Sequence, residues 1–212
     1  MERIGVGDGT DVVVVDHNGG HFATRLWWAL RYYGHERVAV LDGGFAGWKS
    51  HDKPVTSEQT SVPDVTFSPN LHPALRREAG AVLAAIGQSD EVIIDARDEA
   101  QYSGAAQRGT RGGHVPGAIN LPAKALLDAD GWKPLDEQRR LVEAAGIRPD
   151  QTATAYCNGG VTATAVLFAL HRLGHQHLAN YDGSWNEWGE RGDLPVEDNR
   201  DLMRSGDGAA GS

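Results

Sequence analysis

The chain has 212 residues, 40% hydrophobic and 23% charged, ordinary proportions for a globular protein with one large domain or two small ones. Its net charge of -9 repels nucleic acid and anionic lipid, so neither is expected as a partner, and no apolar run approaches the ~20 residues of a membrane span. A single cysteine, Cys157, leaves no intrachain disulfide, and the opening stretch MERIGVGDGT has no signal-peptide core; the expected compartment is the cytoplasm.

In chain order, valines 12–15 predict a short buried strand ending at Asp16. An apolar helix is expected from about Phe22 to Tyr33, stopped by Gly34, and VAVLD (38–42) reads as a second strand. Residues 49–75 carry Pro54, Pro63, Pro69 and Pro73 among serines and threonines and read as a linker. A helix is expected over 76–87, and EVIID (91–95) reads as a strand. RGGHVPGAINLP (111–122) is turn-rich with a short strand at its end, DEQRRLVEAAGI is amphipathic, and TATAY (152–156) is a strand. The helix over 161–173 is apolar nearly all round and should be sandwiched, and HLANY (177–181) is the last strand. SGDGAAGS at the end reads as disordered. Alternating strands and helices with short connections predict an α/β fold around a mainly parallel sheet.

The chain repeats itself. A shift of 140 positions lays NGGHFATRLWWALRYYGHERVAVLDGGFAGW (18–48) on NGGVTATAVLFALHRLGHQHLANYDGSWNEW (158–188) without a gap. Asn18-Gly19-Gly20 meets Asn158-Gly159-Gly160, Gly34-His35 meets Gly174-His175, and Trp48 meets Trp188. Two related units follow, each a mainly parallel sheet with flanking helices. Residues 1–55 form the first, incomplete one, 56–87 a linker and helix, 88–199 the complete one, and 200–212 a tail. The first copy has 16 residues before its loop, whereas the second has about 70 before Cys157. The first unit is therefore expected to leave apolar surface, covered by the second unit or by self-association.

Cys157 falls where a strand ends and a helix begins, the edge at which open α/β sheets bind ligands. Gly159 and Gly160 let the backbone curl, so that the loop amides and the helix dipole converge on the sulfur and favour thiolate over thiol. Thr162 adds a hydroxyl donor. At the position of Cys157 the first copy has His17, or Asp16 if its loop is one residue longer. A cysteine phosphatase would need an arginine six residues after the nucleophile, where Ala163 stands, and none of 158–165 is basic. A module that merely carries or senses sulfur is the remaining competitor.

CNGGVTATAVLFALHRLGHQHLANYDGSWNEW, IIDARDEAQYSG and GGHVPGAINLP resemble, in order and spacing, the active unit of tandem-domain rhodanese-type sulfurtransferases. VVVVDHNGGHFATRLWWALRYYGHERVAVLDGGFAGW resembles that family's inactive first domain, here shortened at its N-terminal side. The resemblance, over about residues 3–199, implies two steps. Cys157 takes a sulfur from an anionic donor such as thiosulfate or 3-mercaptopyruvate, becoming a persulfide, then passes it to cyanide or a thiol. It implies the six-residue loop Cys157, Asn158, Gly159, Gly160, Val161 and Thr162, with no metal or organic cofactor. Thiosulfate-using members usually carry a basic residue where Gly159 stands, and many carry arginine at the Gln101 position. Arg97, Arg108 and Arg111 remain as cations. Arg97 reads as tying the sheet edge to a turn, Arg111 is the better anion binder, and Trp185 is a candidate pocket wall. His114 reads as a turn-holder. His171, His175 and His177 lack the further ligands of a metal site. Trp27 and Trp28 read as interface core.

Overall fold

The computed structural model describes residues 1–17 and 20–198. Asn18-Gly19 of the repeat and the tail at 200–212 lie outside them. The elements are β1 (Val12–Val14), α1 (Ala23–Tyr32), β2 (Val38–Val40), α2 (Gly44–Ser50), β3 (Arg76–Arg77), α3 (Ala79–Ala85) and β4 (Glu91–Asp95). There follow α4 (Glu99–Tyr102), β5 (Ile119–Asn120), α5 (Leu135–Ala144), β6 (Thr152–Tyr156), α6 (Ala163–Arg172), β7 (Leu178–Tyr181) and α7 (Ser184–Trp188). Residues 53–72 hold no helix or strand among the described residues.

Two parallel sheets result. β1 pairs β2, and the larger sheet runs β3-β7-β6-β4-β5. Alternation of strand and helix produces this, because parallel neighbours need a crossover and the crossover helices bury the sheet faces. In register, Asp95 of β4 lies between Tyr156 of β6 and Asn120 of β5. Whatever follows those three residues therefore emerges side by side at the carboxyl edge.

The stretch 76–87 is not one helix. Arg76–Arg77 extends along β7, and the helix starts only at Ala79. The Arg77 guanidinium makes two 2.8 Å bonds to the Glu91 carboxylate, which holds this arm extended. The segment before it lies along the first unit: Asn70 and His72 donate backbone bonds to Tyr33 and Tyr32, and the Trp28 indole donates to the Leu75 carbonyl.

The two units meet through α1 and α6. The Thr24 and Thr164 hydroxyls are 3.0 Å apart, and Arg31 reaches the His171 ring at 3.4 Å. Each pair is separated by 140 positions, the period of the repeat. A residue can touch its own counterpart only near a two-fold axis, so the units are joined as a two-fold dimer is, inside one chain. Trp27 and Trp28 are buried in the same cluster as Ile94, Ala155 and Leu167, and Trp27 packs edge-on to Phe168. Seven of the ten α6 residues are buried, which answers its all-round apolarity. Each large side chain so buried contributes roughly 1.5–3 kcal/mol.

Candidate active site

Three adjacent parallel strands end at one cavity of about 190 Å³. β6 delivers Cys157 and Asn158, β4 delivers Ala96, Arg97 and Asp98, and the chain after β5 delivers Pro122 and Lys124. His21, just before α1 in the first unit, closes the cavity from across the interface. A larger apolar cavity of about 510 Å³ lies on the first unit between Val13, Val15, Phe45 and Trp48 and holds no charged side chain.

Cys157 is 3% exposed, at the floor of the smaller cavity. The loop behind it is held by its carbonyls. Cys157 accepts from the Trp185 amide at 3.0 Å and Asn158 from the Asn186 amide at 2.9 Å. The Gly160 carbonyl accepts from Asn180 Nδ2 and from an Arg25 guanidinium nitrogen, both at 3.1 Å. Arg25, on α1, also pairs with Asp182 at 2.6 Å. Gly160 adopts φ 72°, and a Cβ there would stand 2.8 Å from the Asp182 carbonyl oxygen, so this position requires glycine. The Cys157 amide donates to the Ser184 hydroxyl at 3.2 Å, and that hydroxyl donates to the Tyr181 carbonyl. The amides of 158–162 donate to no other group among the described residues. Carbonyls spent outward and amides unspent make the loop an anion nest.

The first unit shows what such a loop does with an anion. The Asp16 carboxylate accepts from the amides of Gly20, Phe22 and Ala23 at 2.8–2.9 Å. Those positions correspond in the repeat to Gly160, Thr162 and Ala163. The His17 ring lies beside Phe45 instead. The first loop thus fills its nest with its own side chain, while the second leads to a cysteine.

The predicted site residues separate into two sets. Cys157, Asn158, Thr162 and Arg97 line the cavity; Gly159, Gly160, Val161, Arg111 and Trp185 do not. The Arg111 guanidinium donates to the carbonyls of Trp188, Gly189, Arg191 and Leu194, so it pins the chain after α7 instead of facing the cleft. The Trp185 ring is 1% exposed and stacks under the Arg97 guanidinium at 4.3 Å. Arg97 itself is paired with buried Asp95 and donates to the Gly113 carbonyl, which ties the sheet edge to that turn. The Tyr156 hydroxyl donates to Asp95 at 2.6 Å; burial, then the Asp95 charge, push its pKa well up, so it stays a phenol. His114, stacked on Tyr102 and bonded to its carbonyl, holds its turn.

His21, Arg25 and Lys124 are contacts that sequence reasoning did not single out. His21 Nε2 lies 2.9 Å from the Thr162 hydroxyl. Burial holds its imidazole below the ordinary value against the pull of Asp16, so it stands neutral at neutral pH. The repeat contained the signal for His21 and Arg25, since loops flanking a two-fold axis face one another. Lys124 lies two residues beyond GGHVPGAINLP.

The Rhodanese-like domain family matches residues 2–51 and 78–191. The chain belongs to the rhodanese family. The 3-mercaptopyruvate sulfurtransferase of Escherichia coli K12 is 36% identical over 200 residues, 93% of this chain and 71% of that protein. The thiosulfate sulfurtransferase of Gallus gallus is 33% identical over 193 residues, 89% of this chain and 67% of that protein. The crystal structure of SseA, a 3-mercaptopyruvate sulfotransferase of Escherichia coli, superposes with a TM-score of 0.75 at 34% identity, over 85% of this chain and 69% of that one. The wild-type EanB structure shares the fold with a TM-score of 0.82 at 21% identity; this chain spans 52% of it. This rhodanese is thus an α/β sulfurtransferase-family protein with its cysteine loop at the carboxyl edge of the larger sheet.

Proposed function

We propose that the protein moves a sulfane sulfur from thiosulfate or 3-mercaptopyruvate to cyanide or a thiol, through a persulfide on Cys157. The observation that carries this is Cys157 at the cavity floor with unspent loop amides behind it, where the sister loop holds a carboxylate. In the first step the Cys157 thiolate attacks the outer sulfur of the donor. With thiosulfate, the sulfur–sulfur bond breaks and sulfite leaves with the electron pair. With 3-mercaptopyruvate, the carbon–sulfur bond breaks and the pyruvate enolate takes the pair, then a proton. In the second step a thiolate or cyanide attacks the outer persulfide sulfur and Cys157 leaves as thiolate. Asn158, Gly159, Gly160, Val161 and Thr162 form the loop around the sulfur, and the loop needs no metal or organic cofactor for either step.

Incubation with each donor followed by intact-mass measurement tests this. A gain of one sulfur mass, absent in Cys157→Ser, is expected. No gain with either donor overturns the reading in favour of a sulfur-sensing module.

The division into a partial unit (1–55), a connecting stretch (56–87) and a catalytic unit (88–199) belongs to this proposal; the two-stranded sheet falls within 1–55, and the connecting stretch lends β3 to the larger sheet. Self-association over the exposed first-unit face, where Val13 is 60% and Val15 45% exposed, is its expected consequence. The cytoplasm is the compartment assigned, because the chemistry needs Cys157 reduced.

A further inference from the structure

We propose that the anionic end of the sulfur donor is anchored between Lys124 of the catalytic unit and His21 of the first unit. This rests on the sulfurtransferase reading and supplies what the cysteine loop lacks, a basic side chain for the donor's charge.

The charges around the cavity lead there by elimination. Arg97 is neutralised by Asp95, and its guanidinium also serves the Gly113 carbonyl. Asp98 caps α4: one carboxylate oxygen accepts from the Gln101 amide and the other from the Gln101 side chain. Gln101 in turn accepts from Asn158 Nδ2 at 3.0 Å. The residue at the family's arginine position thus braces the loop between Asp98 and Asn158, and it offers the donor no charge. Lys124 alone among the lining cations makes no ion pair with a described residue.

Its placement suits an anchor. Lys124 sits in a short 3-10 turn, Ala123–Leu126, whose ends Ala123 and Leu126 are buried while Lys124 is exposed. The backbone is fixed by those two anchors and the ammonium stands at the rim. Cys157 is at the floor. A donor that fits about 190 Å³ then lies with its sulfonate or carboxylate at the rim and its outer sulfur at the thiolate. His21 faces this space from the first unit, bonded through Nε2 to Thr162. With Nε2 accepting from the Thr162 hydroxyl, Nδ1–H is the ring's donor to the anion, and an anion beside the ring favours the imidazolium. The first unit, without a nucleophile, is by this account half of the donor site.

The test uses sulfate, an inert dianion resembling thiosulfate, to protect Cys157 of the full chain from alkylation by iodoacetamide at constant ionic strength. The readout is the half-protecting sulfate concentration, which does not depend on sulfur transfer. Lys124→Met should raise it about tenfold, as loss of one charge-assisted hydrogen bond does. Lys124→Arg should keep it close to the unsubstituted protein. His21→Phe, which preserves the ring and removes both nitrogens, should raise it roughly threefold, in line with a neutral hydrogen bond. Absence of protection in the unsubstituted protein, or equal protection in Lys124→Met, overturns the proposal. An unchanged value in His21→Phe removes the first unit from it. Failure of the transfer reading shows separately, as no mass gain with either donor.

Discussion

Ser184 adopts φ 52°, in the left-handed region that disfavours a side chain, and Gly44 occupies the corresponding place in the first unit at φ 56°. The turn geometry is common to both units; the side chain is not. Ser184 bears a strain of order 1–3 kcal/mol, and its hydroxyl joins the Cys157 amide to the Tyr181 carbonyl. His35 and His175 are a second corresponding pair, each 5% exposed and each with one ring nitrogen unpartnered among the described residues. Burial, then Arg139, holds His175 below the ordinary histidine value of 6.5. Above 6.5 the native and unfolded forms are both neutral, and this contribution to stability is complete. As pH falls below it, the unfolded chain binds a proton that the native ring resists, and stability is lost. The melting temperature should therefore fall between about pH 7.5 and about pH 5.5, and His175→Gln should flatten that fall. An equal fall in both proteins would contradict this cause.

At the level of elements, the junction of the cysteine loop with α6 is steadied by helix α1 of the other unit. Arg25 reaches over α6 to the Gly160 carbonyl and to Asp182. Both members of that ion pair are about a third exposed, so the pair contributes only ~0.2–1 kcal/mol to stability. Its larger effect is on where the loop lies. Arg25→Ala is expected to slow persulfide formation about tenfold or more, since small misplacements of reacting groups cost that much, while shifting the melting temperature little. Stopped mass measurements at saturating donor, set beside a thermal melt, check this; a loss of stability matching the loss of rate would make Arg25 merely structural.

On the scale of the molecule, the two units share one core. Trp27 and Trp28 of the first lie in the same buried cluster as the strands and helix of the second. Neither unit keeps that core without the other, so unfolding should be one transition. Trp27→Ala should destabilise the whole protein by ~3–5 kcal/mol. Far-ultraviolet dichroism and tryptophan fluorescence should still melt together. Separate transitions by the two probes would show units that fold independently. The exposed valines of β1 mark the face on which further association would be seen, by light scattering across a concentration series.

The order of the elements and the cysteine loop were legible in the sequence because they rest on local signals. Valine runs gave the strands, all-round apolarity gave the buried α6, and Gly159-Gly160 after Cys157 marked the strand-to-helix turn. The match of 18–48 on 158–188 at a shift of 140 is likewise read from the sequence directly. The strand at Arg76–Arg77 was not legible, because its extended form comes from β7 and Glu91, which lie far off in the chain. The surroundings of Arg111 were not legible for the same reason: an arginine's destination depends on which carbonyls the fold brings to it, here those after α7. Sequence alone determined the order of the elements and the place of the cysteine loop between strand and helix. Only the tertiary structure decided which side chains surround Cys157, because His21 reaches the cleft through the two-fold packing of α1 on α6, and Arg97 and Lys124 through the parallel register of β4, β5 and β6.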